Sequence, residues 1–532
     1  MVSSRSIAAI KKRLQILFVL CLLVGIGLRC TNAAHKVYWH DEVYTTVRVL
    51  GHSGKDIETN LLQKTMVSAD DLQAFQQFPE PRRWSDTWAS LTSHPEHPPL
   101  FYLLERLWVG WFAPSVTSFR ALAVVFGLGL LPLTYWLGKQ LWQDHWAGLI
   151  ATCLMAVSPI QLLYAQEARE YSLWACLILW TNGCLLQAMR SSGRYSSDAM
   201  VVRSPQAAIL RKWGLYTVSM ALMLYTTLLS VLVVVAHGLY VLISGSRQHW
   251  QRWAMALVGA LLTFFPWLFV ILNNRSKLES VTDWISFRRT LGELIKLWGL
   301  HLSSTVIDLG LPLEHPYTYL VPPLILLLLV IALGQLLMVT SPTTMAFCIM
   351  VLMVPAIGLI LPDLIDGGQL SLSTRYFLPS LLMVTLVLSG WLRQLLLSNR
   401  GIYRVWGQGT LTLLLVVGLV SGTLSAASFT WWNKNISYHN NTIGEIIRQT
   451  EKPLVMASLG DTGLGNAISL SYAVPPATAF MLFKPGKMPE IPVGYSDYFV
   501  ANANGEVLDE IASKTGRSLE LAEGDYPLWR LD

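Results

Sequence analysis

The sequence predicts an all-α polytopic membrane protein with a small extracytoplasmic α/β domain at its C-terminal end. Of its 532 residues, 53% are hydrophobic and only 14% are charged, whereas soluble domains carry about 25% charged residues. Apolar runs long enough to cross a bilayer, about 20 residues each, occur about eleven times within residues 1–430. Residues 431–532 lack such runs, which indicates a separate soluble domain.

The first apolar run, 14–30, directly follows the basic residues 11–13. A basic flank of this kind predicts a cytoplasmic N-terminus. No small-residue cleavage site follows the run, so we interpret it as an anchor and not as a removed signal peptide. The chain is therefore expected to emerge outside and to present Asp41 and Glu42 close to the bilayer surface.

A long polar segment, 31–116, forms the first outer loop and contains the charged stretch 53–93. Its last part, 100–112, is apolar but too short to span and carries Glu105 and Arg106. These properties favour a helix that lies in the membrane interface.

Further spans are expected at roughly 117–138, 146–164, 171–189, 213–230, 231–245, 253–272, 318–339, 343–361, 376–397 and 406–428. If 100–112 does not cross, the loops 189–213, 244–253 and 393–404 lie inside. Each is basic and nearly free of acids, as the positive-inside rule requires. The first of these loops supplies Arg190, Arg194, Arg203, Arg211 and Lys212. This distribution explains the net charge of +6 without a nucleic-acid partner.

The C-terminal segment changes to the pattern of a small soluble domain. Stretches 454–458, 498–501 and 518–521 are typical of strands, and 505–515 is typical of an amphipathic helix. We therefore predict a transmembrane domain over 1–430 and an extracytoplasmic α/β domain over 431–532.

Two adjacent acids, Asp41 and Glu42, open the list of candidate site residues on the outer face. Carboxylates near hydrocarbon are costly unless they have partners or a function. The alternative is a solvated first helical turn, where acids are also favoured.

A second candidate is the stretch 93–99, in which His94 and His97 could bind a divalent metal ion. Its spacing matches no standard zinc pattern, so simple loop polarity stays an alternative.

The turn between the spans 146–164 and 171–189 carries Glu167, Arg169 and Tyr171, which are expensive there unless they are paired or line a wet cavity. An ion pair that only locks two helices is the alternative. Arg120 and Arg375, the latter followed by Tyr376, stand at the outer starts of two other spans. Each arginine either reaches lipid headgroups or clamps a phosphate in a bidentate fork.

Five motifs occur in an order that resembles a known family. They are Trp39–Glu42, His97–Tyr102, Phe119–Leu122, Ser158–Tyr171 and Arg375–Tyr376 with Pro379. The resemblance is to bacterial members of the protein O-mannosyltransferase group, which are glycosyltransferase family 39-like, in the GT-C superfamily; the aminoarabinose transferase is a relative. It covers roughly residues 10–400 and none of the C-terminal domain.

The resemblance implies a bacterial plasma-membrane enzyme that takes a sugar from a polyprenyl-phosphate donor. The acceptor would be a protein, lipid or glycan on the extracytoplasmic side, and the displacement would be inverting. Asp41 would be the general base, Glu42 its support and Glu167 an acid facing acceptor or metal. The residues expected at the donor phosphate are Arg120, Arg169, Tyr171, Arg375 and Tyr376. No cofactor is required, and a divalent metal ion is a candidate.

One departure from the family pattern concerns a histidine that many bacterial relatives carry near Tyr225. This chain has Thr226 and Thr227 there, which removes one polar contact or ligand. Two other hypotheses stay open. A transporter of lipid-linked sugars would show charges at mid-membrane or broken helices, and the predicted spans lack mid-depth charges, which favours the enzyme. The C-terminal domain could also act as a scaffold.

Overall fold

The computed structural model describes residues 4–81, 83–192, 206–311, 315–460 and 462–532. Arg194 and Arg203 of the predicted basic loop lie outside these ranges. The chain begins with helix α1 (Ser4–Cys30). It then forms a segment that we call the first outer segment after its predicted position, whose elements are α2 (His40–Leu50), α3 (Gly54–Leu62), β1 (Val67–Ser68), α4 (Ala69–Gln73), α5 (Trp84–Thr92) and α6 (Leu100–Phe112).

Helix α2 has clear start and stop signals. Trp39 precedes it in an extended conformation. Asp41 and Glu42 occupy its first turn, where negative charge interacts favourably with the helix dipole. Gly51 ends it with a φ of +87°, a left-handed conformation that glycine adopts at little cost. The predicted helix 100–112 is found as α6. Its Glu105 and Arg106 are buried.

The central part of the chain is helical throughout. Its helices are α7 (Val116–Trp142), α8 (His145–Val157), α9 (Pro159–Ala165), α10 (Tyr171–Ser192), α11 (Gln206–Leu224), α12 (Ser230–Ser244), α13 (Arg247–Asn273), α14 (Arg275–Thr282), α15 (Leu291–Ser303), α16 (Tyr317–Val339), α17 (Pro342–Asp366), α18 (Leu378–Leu396) and α19 (Gly401–Ala427). Of the described helices, eight are long and apolar enough to cross a membrane, and the pair α8 and α9 could form a ninth span. The protein is therefore a multi-pass membrane protein, as predicted, but the described helices give eight or nine candidate spans and not the eleven or so expected.

One predicted span is wrong in its continuity. The expected span 146–164 is broken into α8 and α9, whose axes differ by 62°. Ser158 at the break is extended, and Pro159 starts α9, because proline lacks the N–H that would continue α8. Ser158 Oγ donates to Thr305 O at 2.8 Å, which ties the break to the segment between α15 and α16.

The C-terminal segment folds as an α/β unit. Its elements are α20 (Asn440–Arg448), β2 (Pro453–Ser458), α21 (Gly463–Ser471), β3 (Ala479–Phe483), β4 (Asp497–Ala501), α22 (Gly505–Thr515), β5 (Leu519–Leu521) and β6 (Leu528–Leu531). The predicted helix and all three predicted strands are present, while β3 and β6 were not predicted. The sheet order is β1-β3-β2-β4-β6-β5, and the central strand β2 is parallel to β3 and β4.

The first outer segment completes this C-terminal sheet. Strand β1 pairs antiparallel with β3, and Val67 lies opposite Phe480. Val43 and Val47 of α2 belong to one buried apolar cluster that also contains Ile468 of α21. The boundary at residue 430 remains a prediction, but the two segments share a core. This core holds α2, whose first turn carries the candidate acids, against the C-terminal unit.

Candidate active site

The two acids of α2 face different environments. Neighbouring helical residues are rotated by about 100° from each other. The side chain of Asp41 is 17% exposed, whereas that of Glu42 is completely buried. The two carboxylates therefore cannot have the same role in this conformation.

Asp41 lies between two arginines. Arg375 Nη1 donates to Asp41 Oδ2 at 2.7 Å. Arg169 Nη1 donates to Asp41 O at 3.3 Å and to Thr45 Oγ1 at 3.0 Å. Enclosure raises the pKa of Asp41, but Arg375 and Arg169 outweigh this effect and bring the pKa to about 2. Asp41 is therefore an accessible carboxylate that is ionised at neutral pH.

Arg375 is held by aromatic rings. Its Cζ lies 5.8 Å from the ring centroid of Trp39 and 5.6 Å from those of Tyr171 and Tyr376, within the range of cation–π attraction. Its side chain is 20% exposed, and its Nε has no hydrogen-bond partner in the described part of the chain. Arg169 Nη2 donates to Tyr171 Oη at 3.2 Å. The structure thus brings Asp41 together with four of the five residues expected at the donor phosphate.

Glu42 is locked into a buried network. Arg120 donates to both of its carboxylate oxygens at 2.7 Å, and the backbone N–H of Ala168 donates to Oε1 at 2.8 Å. Lys434 Nζ lies 3.4 Å from Oε2. Burial raises the pKa of Glu42, but Arg120 and Lys434 outweigh it and bring the pKa to about 2. This geometry favours support of the helix start over proton transfer.

Arg120 differs from both expectations drawn from the sequence. It is completely buried, so in this conformation it reaches neither lipid headgroups nor a phosphate at the surface. Besides Glu42, it donates to the carbonyl oxygens of Ala33, Lys36 and Val37 at 2.8–2.9 Å. These contacts occupy the guanidinium fork and pin the chain between α1 and α2 to α7. Arg120 therefore holds the backbone between α1 and α2 in place.

Glu167 is also buried, and its partners belong to the segment that follows α19. Its Oε1 accepts from Asn433 Nδ2 at 2.7 Å and from Lys434 Nζ at 2.9 Å. Within the described ranges its Oε2 has no partner. Lys434 therefore bridges Glu42 and Glu167. We call Glu42, Arg120, Glu167 and Lys434 the buried charge frame.

Sequence reasoning missed Lys434 and a second lysine, Lys36. Lys434 follows the tryptophan pair 431–432 directly beyond the last span, and a lone charge there was the available signal. Lys36 Nζ lies 3.3 Å from Gln166 Oε1. Burial, together with the nearby Lys434 and Arg120, lowers the pKa of Lys36 to about 7.

The segment that delivers Lys434 is itself anchored. Trp431 and Trp432 donate their indole N–H groups to Asp308 Oδ2 at 2.9 and 2.8 Å. Asp308 belongs to the segment between α15 and α16. The root of the C-terminal unit is therefore fixed to two parts of the membrane domain, at Asp308 and at Glu167.

His94 and His97 lie apart from a complete metal site. His94 Nδ1 is 3.2 Å from Ser90 O, and His97 Nε2 is 3.6 Å from Glu96 Oε1. Burial lowers the pKa of His94 to about 4 and that of His97 well below its ordinary value, so both rings are neutral at pH 7. The described residues contain no group of three or more His, Cys, Asp or Glu placed to hold a metal ion. Glu96 and His97 alone fall short of the three protein ligands usual in catalytic zinc sites.

Comparisons with known proteins identify the fold. No family model matches the sequence, and no curated protein matches it. Among solved structures, apo ArnT from Cupriavidus metallidurans matches with a TM-score of 0.55 and 13% identity, over 97% of both chains. The ArnT structure bound to undecaprenyl phosphate matches with a TM-score of 0.52. The chain therefore shares the fold of ArnT.

A second solved membrane protein shows the same fold. The oligosaccharyltransferase AglB from Archaeoglobus fulgidus, in complex with an inhibitory peptide and a dolichol-phosphate, matches with a TM-score of 0.50 and 14% identity. The match covers 90% of this chain and 65% of AglB. The resemblance noted in the sequence motifs, which included the aminoarabinose transferase, is thus confirmed at the level of the fold.

Proposed function

We propose that the protein is a membrane glycosyltransferase that moves a sugar from a polyprenyl-phosphate donor to an acceptor on the extracytoplasmic face. The observation that carries this proposal is the accessible Asp41 carboxylate, ion-paired to Arg375 and flanked by Arg169 at the mouth of the helix bundle. The GT-C fold, shared with an ArnT structure that holds undecaprenyl phosphate, supports a lipid phosphate as the leaving group. The acceptor is a protein, lipid or glycan.

Donor binding activates the base. Asp41 with a pKa of about 2 is a weak base as long as Arg375 holds it. A donor phosphate competes for the same guanidinium, because phosphate and carboxylate both match its fork. Once Arg375 turns to the phosphate, Asp41 loses its principal counter-charge and its pKa rises. The base thus gains strength only when a donor is present.

The reaction is a single displacement at the anomeric carbon. The acceptor oxygen forms a bond to that carbon while its proton passes to Asp41. The bond between the anomeric carbon and the phosphate oxygen breaks, and its electron pair leaves with the lipid phosphate. Arg375 and Arg169 stabilise the charge that develops there. Attack opposite the leaving group inverts the anomeric centre.

The buried charge frame orients these groups. Glu42 and Arg120 fix the first turn of α2, and Lys434 ties Glu42 to Glu167. Glu167 belongs to the same turn as Arg169, so the frame sets the spacing between Asp41 and one of its two arginines. Glu42, Arg120 and Glu167 therefore act as positioning residues in this proposal.

The test uses the full-length protein in liposomes with radiolabelled undecaprenyl-phosphate sugars and a delipidated membrane extract as the source of acceptors. We expect Asp41→Asn to lower the release of undecaprenyl phosphate by at least about 100-fold, the usual contribution of a general base. Asp70→Asn, an exposed acid of α4, is the matched control and keeps wild-type release. Equal release by wild type and Asp41→Asn would exclude Asp41 as the base. Movement of the labelled lipid without release would favour a transporter.

A further inference from the structure

Three largely enclosed polar side chains on and around α2 lack complete hydrogen bonding. They are Arg48 of α2, Glu96 of the loop before α6, and Tyr102 of α6. Arg48 Nε, Glu96 Oε2 and Tyr102 Oη are each shielded from solvent and lack a partner among the described residues. A buried polar group left unpaired costs about 1–3 kcal/mol. Three such groups in one place indicate a site that a polar ligand completes.

The same helix face carries Arg48 and Asp41. Positions 41, 45 and 48 follow the i, i+4, i+7 spacing that places side chains on one face of a helix. Arg169 contacts the first two of them, at Asp41 O and Thr45 Oγ1. Arg48 lies about 10 Å further along the helix axis, given a rise of about 1.5 Å per residue. Arg48 therefore lies on the same face of α2 as the proposed base, about two helical turns away, and Glu96 lies next to Arg48.

The loop that carries Glu96 is rigidly placed. Trp267 Nε1 donates to Pro95 O at 3.3 Å, and Leu100 N donates to Tyr225 O at 3.0 Å. Pro98 and Pro99 restrict the backbone between these anchors. Glu96 is thus held in position before any ligand arrives, which lowers the entropy cost of binding.

The charges and spacing of the three groups select the ligand class. Arg48 Nη2 and Glu96 Oε1 are 3.9 Å apart, too far for a hydrogen bond. Their opposite charges cancel, so the site suits a neutral ligand better than a phosphate. A hydroxyl both donates and accepts, and a carboxylate, a guanidinium and a phenol together offer both partners. The rings of His97 and Tyr102, 5.7 Å apart, add an apolar face of the kind that a sugar ring covers.

We propose that Arg48, Glu96 and Tyr102 form the subsite for the hydroxyl groups of the donor sugar. This inference rests on the proposed function. The donor is favoured over the acceptor because Tyr102 lies on α6, whose far end exposes Trp111 and Phe112. Exposed aromatic side chains of this kind are typical of the membrane interface, from which a lipid-linked donor approaches.

The test measures binding with the full-length protein in detergent. The probes are undecaprenyl phosphate and its mannosyl, glucosyl, galactosyl and aminoarabinosyl derivatives. The readout is the ratio of the Kd for the plain lipid phosphate to the Kd for each sugar-bearing lipid. We expect wild type to bind at least one derivative about tenfold more tightly than the plain lipid phosphate, as paired buried groups allow. Glu96→Gln and Tyr102→Phe should each bring this ratio close to one while leaving the Kd for undecaprenyl phosphate unchanged.

Glu58→Gln is the matched control and should keep the wild-type ratio. Glu58 of α3 is partly exposed and pairs with the exposed Lys484, which follows β3. Tyr102→Phe removes one oxygen only, so it serves as the second variant if Glu96→Gln fails to fold. A ratio that both variants leave intact, a parallel loss of plain lipid-phosphate binding, or a wild type that prefers no sugar would each overturn the assignment. The binding measurement needs no turnover. If Asp41→Asn proved fully active, Asp41 would not be the base, but the Kd ratio measured here would be unaffected.

Discussion

Replacement of Lys434 by methionine tests the buried charge frame most directly. Lys434 is completely buried, with Nζ at 2.9 Å from Glu167 and 3.4 Å from Glu42. Methionine keeps much of the volume and removes the charge. Arg120 still pairs with Glu42 in the variant, but Glu167 keeps only Asn433 as a partner. The variant therefore leaves a buried carboxylate without its cation.

The expected loss of unfolding free energy is about 3–5 kcal/mol, the usual cost of removing one partner from a buried ion pair. Lys64→Met is the matched control. Lys64 pairs with Asp71 at 3.1 Å, but both side chains are more than 40% exposed, and such a pair contributes about 0–1 kcal/mol. The two variants should therefore differ clearly in stability although each removes one lysine from an ion pair.

The measurement is a urea titration of the detergent-solubilised protein followed by tryptophan fluorescence, with a double-mutant cycle as its decisive arm. If the loss comes from the uncompensated charge of Glu167, adding Glu167→Gln to Lys434→Met removes that charge and restores part of the stability. A double variant that is no more stable than Lys434→Met alone would refute the reasoning. Equal losses for Lys434→Met and Lys64→Met would refute it as well.

Further predictions concern pH. As the pH is lowered, kcat/KM, which reports the free enzyme, should fall only near pH 2 to 3, because the arginines hold the pKa of Asp41 at about 2. We call this fall the acid limb of the pH profile. The limb of kcat should lie at higher pH, since a bound donor draws Arg375 away; coincident limbs would contradict donor-linked activation. Lys36, with its pKa lowered to about 7, binds its proton less readily in the folded than in the unfolded chain. Stability should therefore rise from about pH 7 towards the ordinary lysine pKa, and this slope in thermal melts should be smaller in Lys36→Met.

Part of the site was predictable because its members carry local signals. Asp41, Arg169 and Arg375 stand at the outer ends of apolar runs, and the topology alone places such residues on one face. The break between α8 and α9 had a signal as well, in Pro159. Burial of a span on all sides leaves its hydrophobic pattern continuous, so the pattern alone hid the break.

The remaining part depends on partners distant in the sequence. Glu42 and Arg120 are 78 residues apart, and Glu167 and Lys434 are 267 apart. The sequence neighbours of each of these charges do not identify its partner. Strand β1 likewise depends on a distant partner, because Val67 and Ser68 become a strand only by pairing with β3. No local pattern encodes such pairings.

The two groups of charges around α2 have separable effects on the proposed base. The buried charge frame holds two acids and two cations, so its formal charges cancel. The charges that lower the pKa of Asp41 are led by Arg375 and Arg169, which lie outside the frame. Weakening the frame should thus displace Asp41 and reduce kcat without moving the acid limb of kcat/KM. Replacing Arg375 by glutamine should instead move that limb to higher pH, because Asp41 then loses its principal counter-charge.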